Sequence, residues 1–222
     1  DVGQGDCFVA DTKSGAIIFD GGSSSEDQVG RYRILPYMKY LGYQKIQIAV
    51  ISHMDIDHYS GIRELLEMGK IKYLGLPEIP KDETMKKIIG IAKKRGTTIF
   101  YLSRGRQITT KDGSLKVLHP QKNSQMEKNA ASLVMQGKIL GYRVLLTGDV
   151  EKEGEEELLS EELERADILK AAHHGSKNST SNEFLQKVQP KQTVISCGKQ
   201  NRYGHPHLET IHRLQTYRTK IY

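Results

Sequence analysis

Six consecutive residues, His53-Met54-Asp55-Ile56-Asp57-His58, put two imidazoles and two carboxylates within reach of one another. Imidazole and carboxylate together make a ligand set for a transition metal. If the stretch is extended, residues 53, 55 and 57 project to one side at the period-two spacing of a strand. His58 then begins the turn into a helix that follows Ser60-Gly61. Without an ion, four such groups beside an apolar strand would repel one another or need other partners, so an acidic surface turn with incidental histidines is the weaker reading.

Four further positions extend the set. Asp149, in Leu146-Thr147-Gly148-Asp149, can bridge two cations with its two oxygens, although alone it also suits the N-cap of the acidic helix that follows. His173-His174-Gly175-Ser176 places two imidazoles beside a glycine, and either ring is suited to ligate a metal or to move a proton near neutral pH. In Gly204-His205-Pro206-His207, glycine permits close approach and proline fixes the turn. There His205 is the candidate ligand, and His207 also suits a cap of the last helix. His119 and His212 stand alone; His212 keeps helical spacing with Leu208, Ile211 and Tyr217 and reads as a face residue.

These residues share one feature of placement: each follows a short apolar run. Expected strands are 7–11, 16–19, 47–51, 71–74, 98–102, 115–118, 132–136, 143–146, 168–171 and 193–196. Expected helices are 31–41, 60–68, 83–95, 151–159, 182–188 and 208–217. Lys13-Ser14-Gly15 and Asp112-Gly113 read as hairpin turns. Hairpins mixed with strand–helix units imply an α/β protein with mixed sheets. Ligands in such proteins collect at the carboxyl ends of strands, so Asp20, His53, Asp149, His173, His174 and His205 are expected to converge on one rim.

With 222 residues the chain reads as a single domain, residues 1–222, able to bury a sizeable core. No apolar run approaches the roughly 20 residues of a membrane span, so a soluble fragment without membrane insertion of its own is expected. The chain opens on Asp1-Val2-Gly3-Gln4-Gly5-Asp6, without an initiator Met or a signal peptide, and is expected to be a piece of a longer protein. Cys7 and Cys197 are too few for a disulfide framework and read as small buried side chains. Residues 151–167 carry nine acidic and two basic side chains, a net of −7. The rest of the chain has 31 basic against 18 acidic residues, leaving +13, which suits either a polyanionic partner such as nucleic acid or a solvated surface.

The His53–His58 segment resembles the His-x-His-x-Asp-His metal motif of the metallo-β-lactamase superfamily, with Asp55 in place of the second histidine. Asp1–Asp6, Phe19-Asp20-Gly21-Gly22, Thr147-Gly148-Asp149, His173–Ser176 and Arg202–His207, in that order, resemble the C-terminal hydrolase domain of the ComEC family of competence proteins. The match covers nearly the whole chain. It implies an αβ/βα sandwich of two mixed β-sheets flanked by helices, with two divalent metal ions, zinc or manganese, at one edge. It further implies His53, Asp55, Asp57 and His58 as ligands, Asp149 as a bridge and His205 as a late ligand. In that reading His174, or its neighbour His173, protonates a leaving group, and Asp20 orients the ligands. The superfamily's additional ligand histidine before Asp149 is missing, since His119 is the only histidine in that interval and Asn129–Ser132 stands near its place. Asp55 makes the ligand set richer in oxygen and shifts preference toward harder cations such as manganese.

The implied activity is metal-dependent phosphodiester hydrolysis of DNA during competence-related uptake, with His174, His173 and Asp57 at the chemistry. Lys199, Arg202, Arg213, Arg218 and Lys220 would hold single-stranded DNA by its backbone. The implied setting is a bacterial membrane protein whose channel part is the domain's partner and whose hydrolase domain lies outside the cytoplasm. Two rivals remain: hydrolysis of a small ester, lactone or thioester on the same fold, and a non-catalytic domain that guides DNA.

Overall fold

The computed structural model describes residues 1–126 and 128–222. Two sheets form the frame. The first contains β1 (Phe8–Thr12), β2 (Gly15–Phe19), β3 (Ile46–Val50), β4 (Ile71–Pro77) and β5 (Thr98–Leu102), side by side in that order. The second contains β6 (Gln107–Thr110), β7 (Gly113–His119), β8 (Val134–Ile139), β9 (Tyr142–Leu146), β10 (Ile168–Lys170), β11 (Gln192–Val194) and β12 (Lys220–Ile221), also in chain order across the sheet.

Both sheets are mixed. The β1–β2 hairpin is antiparallel and β2 to β5 run parallel, whereas β6 to β9 form an antiparallel meander and β9 to β12 run parallel. Parallel strands need crossovers, which helices supply. The first sheet carries α1 (Leu35–Tyr40), α2 (Ile56–Glu67) and α3 (Glu83–Lys94), and the second carries α4 (Lys152–Leu159), α5 (Asn182–Val188) and α6 (Leu208–Thr216). Asp82 caps α3 by accepting from Met85 N at 2.7 Å, and Ser181 caps α5 by accepting from Phe184 N at 3.1 Å.

Three apolar layers follow from the period-two alternation of the strands. In β2, Ile17 and Phe19 face the space between the sheets with Val50, Leu115, Met135 and Leu146, while Ala16 and Ile18 face the helices with Ile62, Leu65 and Met85. Leu145 and Leu169 of the second sheet pack against Phe184, Leu185 and Leu214. The result is the expected four-layer αβ/βα sandwich. Among the described residues no helix is long and apolar enough to cross a membrane.

Four elements depart from expectation. Helix α2 begins at Ile56 with Asp55 at its N-cap, so Asp57 and His58 sit on its first turn rather than on an extended segment. Strand β6 has one apolar residue, Ile108, and takes its conformation from pairing with β7. The two-residue β12 is likewise set by pairing with β11. The expected helix 31–41 divides into a π-helical turn, Gly30–Ile34, and α1.

Candidate metal centre

Three stretches of backbone meet at the carboxyl end of β2 and β3. Asp6 N donates to Asp57 O (3.0 Å), Gly21 N to His58 O (2.8 Å) and Gly22 N to Asp6 O (3.0 Å). A Cβ on Gly22 would stand 2.6 Å from the Asp57 carbonyl carbon, and one on Gly5 would stand 2.2 Å from Gly22 O. Only glycine allows backbones to approach this closely, which explains two glycines of the motifs flanking the site.

Asp20 follows β2 with φ 57°, an uncommon conformation that asparagine and aspartate tolerate best. Its carboxylate accepts from Ser52 N and Ser52 Oγ, both at 2.7 Å, and contacts His58 Nδ1 at 2.9 Å. That contact turns His58 Nε2 toward Asp149 Oδ2, 3.1 Å away. His53 lies beside it, its ring centroid 4.2 Å from that of His58, with Nδ1 3.0 Å from Ser52 Oγ.

The second sheet supplies the other wall. Asp149 N donates to Ser132 Oγ at 3.2 Å. His173 and His174 both have positive φ, 47° and 52°, a conformation that costs of order 1–3 kcal/mol per residue and gathers at functional sites. His174 Nδ1 lies 2.7 Å from Ser196 O, leaving Nε2 3.4 Å from both Asp57 Oδ2 and Asp149 Oδ2. His173 is more open: Nδ1 meets Glu151 Oε1 at 2.8 Å and Nε2 stands 3.8 Å from Asp149 Oδ2. His205 packs edge-on to His173, with ring centroids 5.4 Å apart, and is stacked with Tyr203 at 5.7 Å.

Ligand atoms of His53, His58 and Asp149 lie within 4.8 Å of one another, as do those of Asp57, His58 and His174. Asp55 and His205 lie outside these groups. The Asp55 side chain is 47% exposed, with an oxygen 3.7 Å from His53 Nε2, and His205 closes the rim of the same cleft. The decisive observation is that Nε2 of His53, His58 and His174 are all buried and make no hydrogen bond among the described residues, those of His58 and His174 having only ion-pair contacts with Asp149 and Asp57. Buried polar atoms are rarely left unsatisfied, and three converging imidazole nitrogens flanked by carboxylates have the chemistry of a divalent-cation site. The residues present fit a metal.

The metallo-beta-lactamase superfamily model matches residues 1–199. The chain belongs to that superfamily. It is 36% identical over 240 residues to ComE operon protein 3 of Bacillus subtilis, a match covering all of this chain and 30% of that protein. Competence protein ComA of Neisseria gonorrhoeae is 29% identical over 231 residues, again covering all of this chain and 30% of the relative. The chain thus spans less than a third of the length of these two relatives. Among solved structures it is similar to the metallo-beta-lactamase fold protein YhfI of Bacillus subtilis, with a TM-score of 0.64 at 14% identity, covering 98% of this chain and 88% of that one. That likeness bears on the fold alone.

Two residues of this metallo-β-lactamase centre escaped the sequence reading. Lys170, fully buried, places Nζ 2.6 Å from Asp6 Oδ2, 2.7 Å from Gly148 O and 3.4 Å from Asp149 Oδ1. Asp6 also stands 3.6 Å from His58 and from His174. The alternation of Ile168-Leu169-Lys170 marks Lys170 as facing away from Leu169, but nothing in one sequence marks a lysine as buried. Asp6 closes the Asp1–Asp6 motif, where nothing in the sequence distinguishes its carboxylate from that of Asp1.

The electrostatics follow from burial set against pairing. Burial pushes Asp6 up, but Lys170 and His174 overcome it and hold its pKa at about 2. Burial likewise opposes charge on Asp149, yet His58, His174 and Lys170 keep it well below the usual carboxylate range. For His174, burial disfavours the cation, but Asp149, Asp57 and Asp6 raise its pKa to about 10. His58 is raised in the same way against burial, by Asp149 and Asp20. His53, lacking a strong carboxylate contact, is driven by burial and by His58 down to about 3. In the metal-free protein, therefore, protonated His58 and His174 hold together carboxylates that a divalent ion would otherwise hold.

Other expected residues divide. Arg202 lies over the Tyr203 ring at 4.9 Å, beside the cleft. Arg213 instead spends its guanidinium on the carbonyls of Lys177, Ser179 and Thr180, tying α6 to the 177–180 turn, and does not belong with a ligand-binding group. His119 is buried against Ser132 O and Glu157, apart from the cluster, and His212 is exposed.

Proposed function

We propose that this domain is a metal-dependent phosphodiesterase acting on single-stranded DNA. The observation that carries the reading is the convergence of the buried Nε2 atoms of His53, His58 and His174, none of which makes a hydrogen bond among the described residues, on Asp57 and Asp149. His53, His58, Asp57, Asp149 and His174 would hold one or two divalent ions, with Asp55 and His205 closing the set from the rim. A bound ion of this kind lowers the pKa of water and polarises phosphoryl oxygens.

The chain's own residues do the rest. Asp20 fixes the tautomer and direction of His58, and Lys170 keeps Asp6 and Asp149 ionised. His174, expected at the sequence level to protonate the leaving group, is buried and aimed between two carboxylates, which suits a ligand. His173, its side chain 23% exposed and oriented by Glu151, suits donation of a proton to the departing oxygen. Arg202 and Tyr203 line the approach and offer a cation and a ring to a flexible strand.

The competence relatives support DNA as the substrate, and the net charge of +13 outside residues 151–167 supports a polyanion. We further propose that the domain lies outside the cytoplasm, joined to a membrane channel, a setting that the competence relatives support. Asp55 in place of the superfamily's second histidine shifts the donor set from nitrogen toward oxygen, which favours manganese. One observation favours a second reading, hydrolysis of a small ester or thioester: a cleft beside His53 has one apolar side, Met54, Ile79, Pro80, Met85 and Met126, among polar residues such as Asp82 and Gln125.

The test is cleavage of labelled single-stranded DNA by metal-stripped protein re-supplied with manganese or zinc, alongside Asp57→Ala. Cleavage that requires metal and vanishes in the variant supports the proposal. Metal binding without cleavage of DNA, but with turnover of a thioester, supports the second reading instead.

A further inference from the structure

We infer that Gln4 is the substrate-binding donor of this centre, its side-chain amide presenting Nε2 to a non-bridging oxygen of a bound phosphoryl group. Gln4 lines the cleft shared by Asp57, Asp149, His173, His174, Tyr203 and His205, and it is 3% exposed. Its Oε1 accepts from Gly198 N at 2.8 Å. That bond assigns the amide, because the opposite orientation would set two donors against each other. Nε2 is then left buried with no acceptor among the described residues.

The residue is fixed at both ends. Gln4 N donates to Ser25 Oγ at 2.8 Å, and Gln4 O accepts from Ser24 N at 2.7 Å and from the hydroxyls of Ser23 and Ser24 at 3.3 and 3.2 Å. A Cβ on Gly198 would stand 2.9 Å from Gln4 N and 3.0 Å from Gln4 Cβ, so only glycine lets the two segments touch here. A donor held this firmly, without a protein acceptor, beside a cluster of carboxylates it does not bond, is preorganised for an oxygen that arrives from outside. A neutral amide serves better than a lysine, which would pair with Asp57 or Asp149 and compete with the cation.

This inference rests on the phosphodiesterase reading for its ligand, but its test does not. Manganese-loaded wild type, Gln4→Met and Gln4→Glu are titrated with inorganic phosphate by calorimetry, and manganese affinity is measured separately. Phosphate binding at least about tenfold weaker in Gln4→Met, and weaker still in Gln4→Glu, is expected, with manganese affinity unchanged. On a DNA substrate, kcat/KM should fall by about 10²-fold or more, the usual cost of one such donor. The proposal is overturned by wild type that binds no phosphate, by Gln4→Met that binds it equally well, or by loss of manganese from both variants, which would make the amide a scaffold of the metal site. Phosphate binding that depends on Gln4 in a protein that cleaves no DNA would retain this inference and remove the nuclease reading. DNA cleavage unaffected by Gln4→Met would do the reverse.

Discussion

The two sheets build the same centre by different means. The first offers His53, Asp57 and His58 from one six-residue segment, where a strand end runs into the first turn of α2. The second offers Asp149, Lys170, His173 and His174 from separate strand ends, with two histidines in left-handed backbone. The first contribution is local and can be oriented by a single carboxylate, Asp20. The second is held only by long-range contacts and by Lys170, so its geometry depends on the whole sandwich being closed. A metal spanning Asp149 and the His53–His58 segment would therefore fasten the sheets together at this edge.

The largest effect is expected from removing the internal cation. Lys170→Met leaves Asp6 and Asp149 buried without their partner, and breaking a buried pair in this way costs about 3–5 kcal/mol. Urea unfolding should show that loss in metal-free protein and a partial recovery in saturating manganese, because the ion takes over the charge of Asp149 but not of Asp6. Next comes Asp20→Asn. It should leave the fold intact, since β2 and β3 remain paired, but weaken metal binding by about 10–100-fold, as loss of an orienting partner usually does. A competition titration with a chromophoric chelator reads this directly.

The pH response of the metal-free protein sharpens the comparison further. His174 has a pKa of about 10 in the fold against 6.5 as its ordinary value. Its proton therefore stabilises the fold fully below pH 6.5, and that contribution is lost as pH rises through about 10. The Tm of metal-free protein should fall across this window, and manganese saturation should flatten the fall, because the ion replaces the proton. His174→Gln should flatten it without metal. The smallest effect is expected at Asp55, whose side chain is half exposed: Asp55→Ala should weaken manganese binding by less than about tenfold, in the same chelator titration.

How far the site was legible in sequence tracks this division. Residues 53–58 stood out because four ligand types crowd into six positions, although the segment's true geometry, with Asp57 and His58 on a helix, was not the extended one expected. The ten strands with apolar runs were found, and β6 and β12 were not, because pairing rather than composition makes them strands. Asp149, His173 and His174 are marked by the apolar runs before them and by the short motifs Thr147-Gly148-Asp149 and His173–Ser176. Lys170 carries no signal and Gln4 stands in the Asp1–Asp6 motif without a role: a lysine and a glutamine are ordinary surface residues until the fold buries them among partners far away in sequence. Arg213 was misread for the complementary reason, since its role in tying α6 to the 177–180 turn depends on carbonyls that only the fold aligns.

The claim that the centre is shared between the sheets is tested most directly by calorimetric titration of manganese and zinc into metal-stripped wild type, His53→Ala and Asp149→Ala, with folding of each checked by circular dichroism. The account predicts tight binding to wild type, accompanied by proton release at pH 8 as His58 and His174 give up their protons, and loss of tight binding in both folded variants. Wild-type affinity retained in either variant would contradict it and place the ion on one sheet alone.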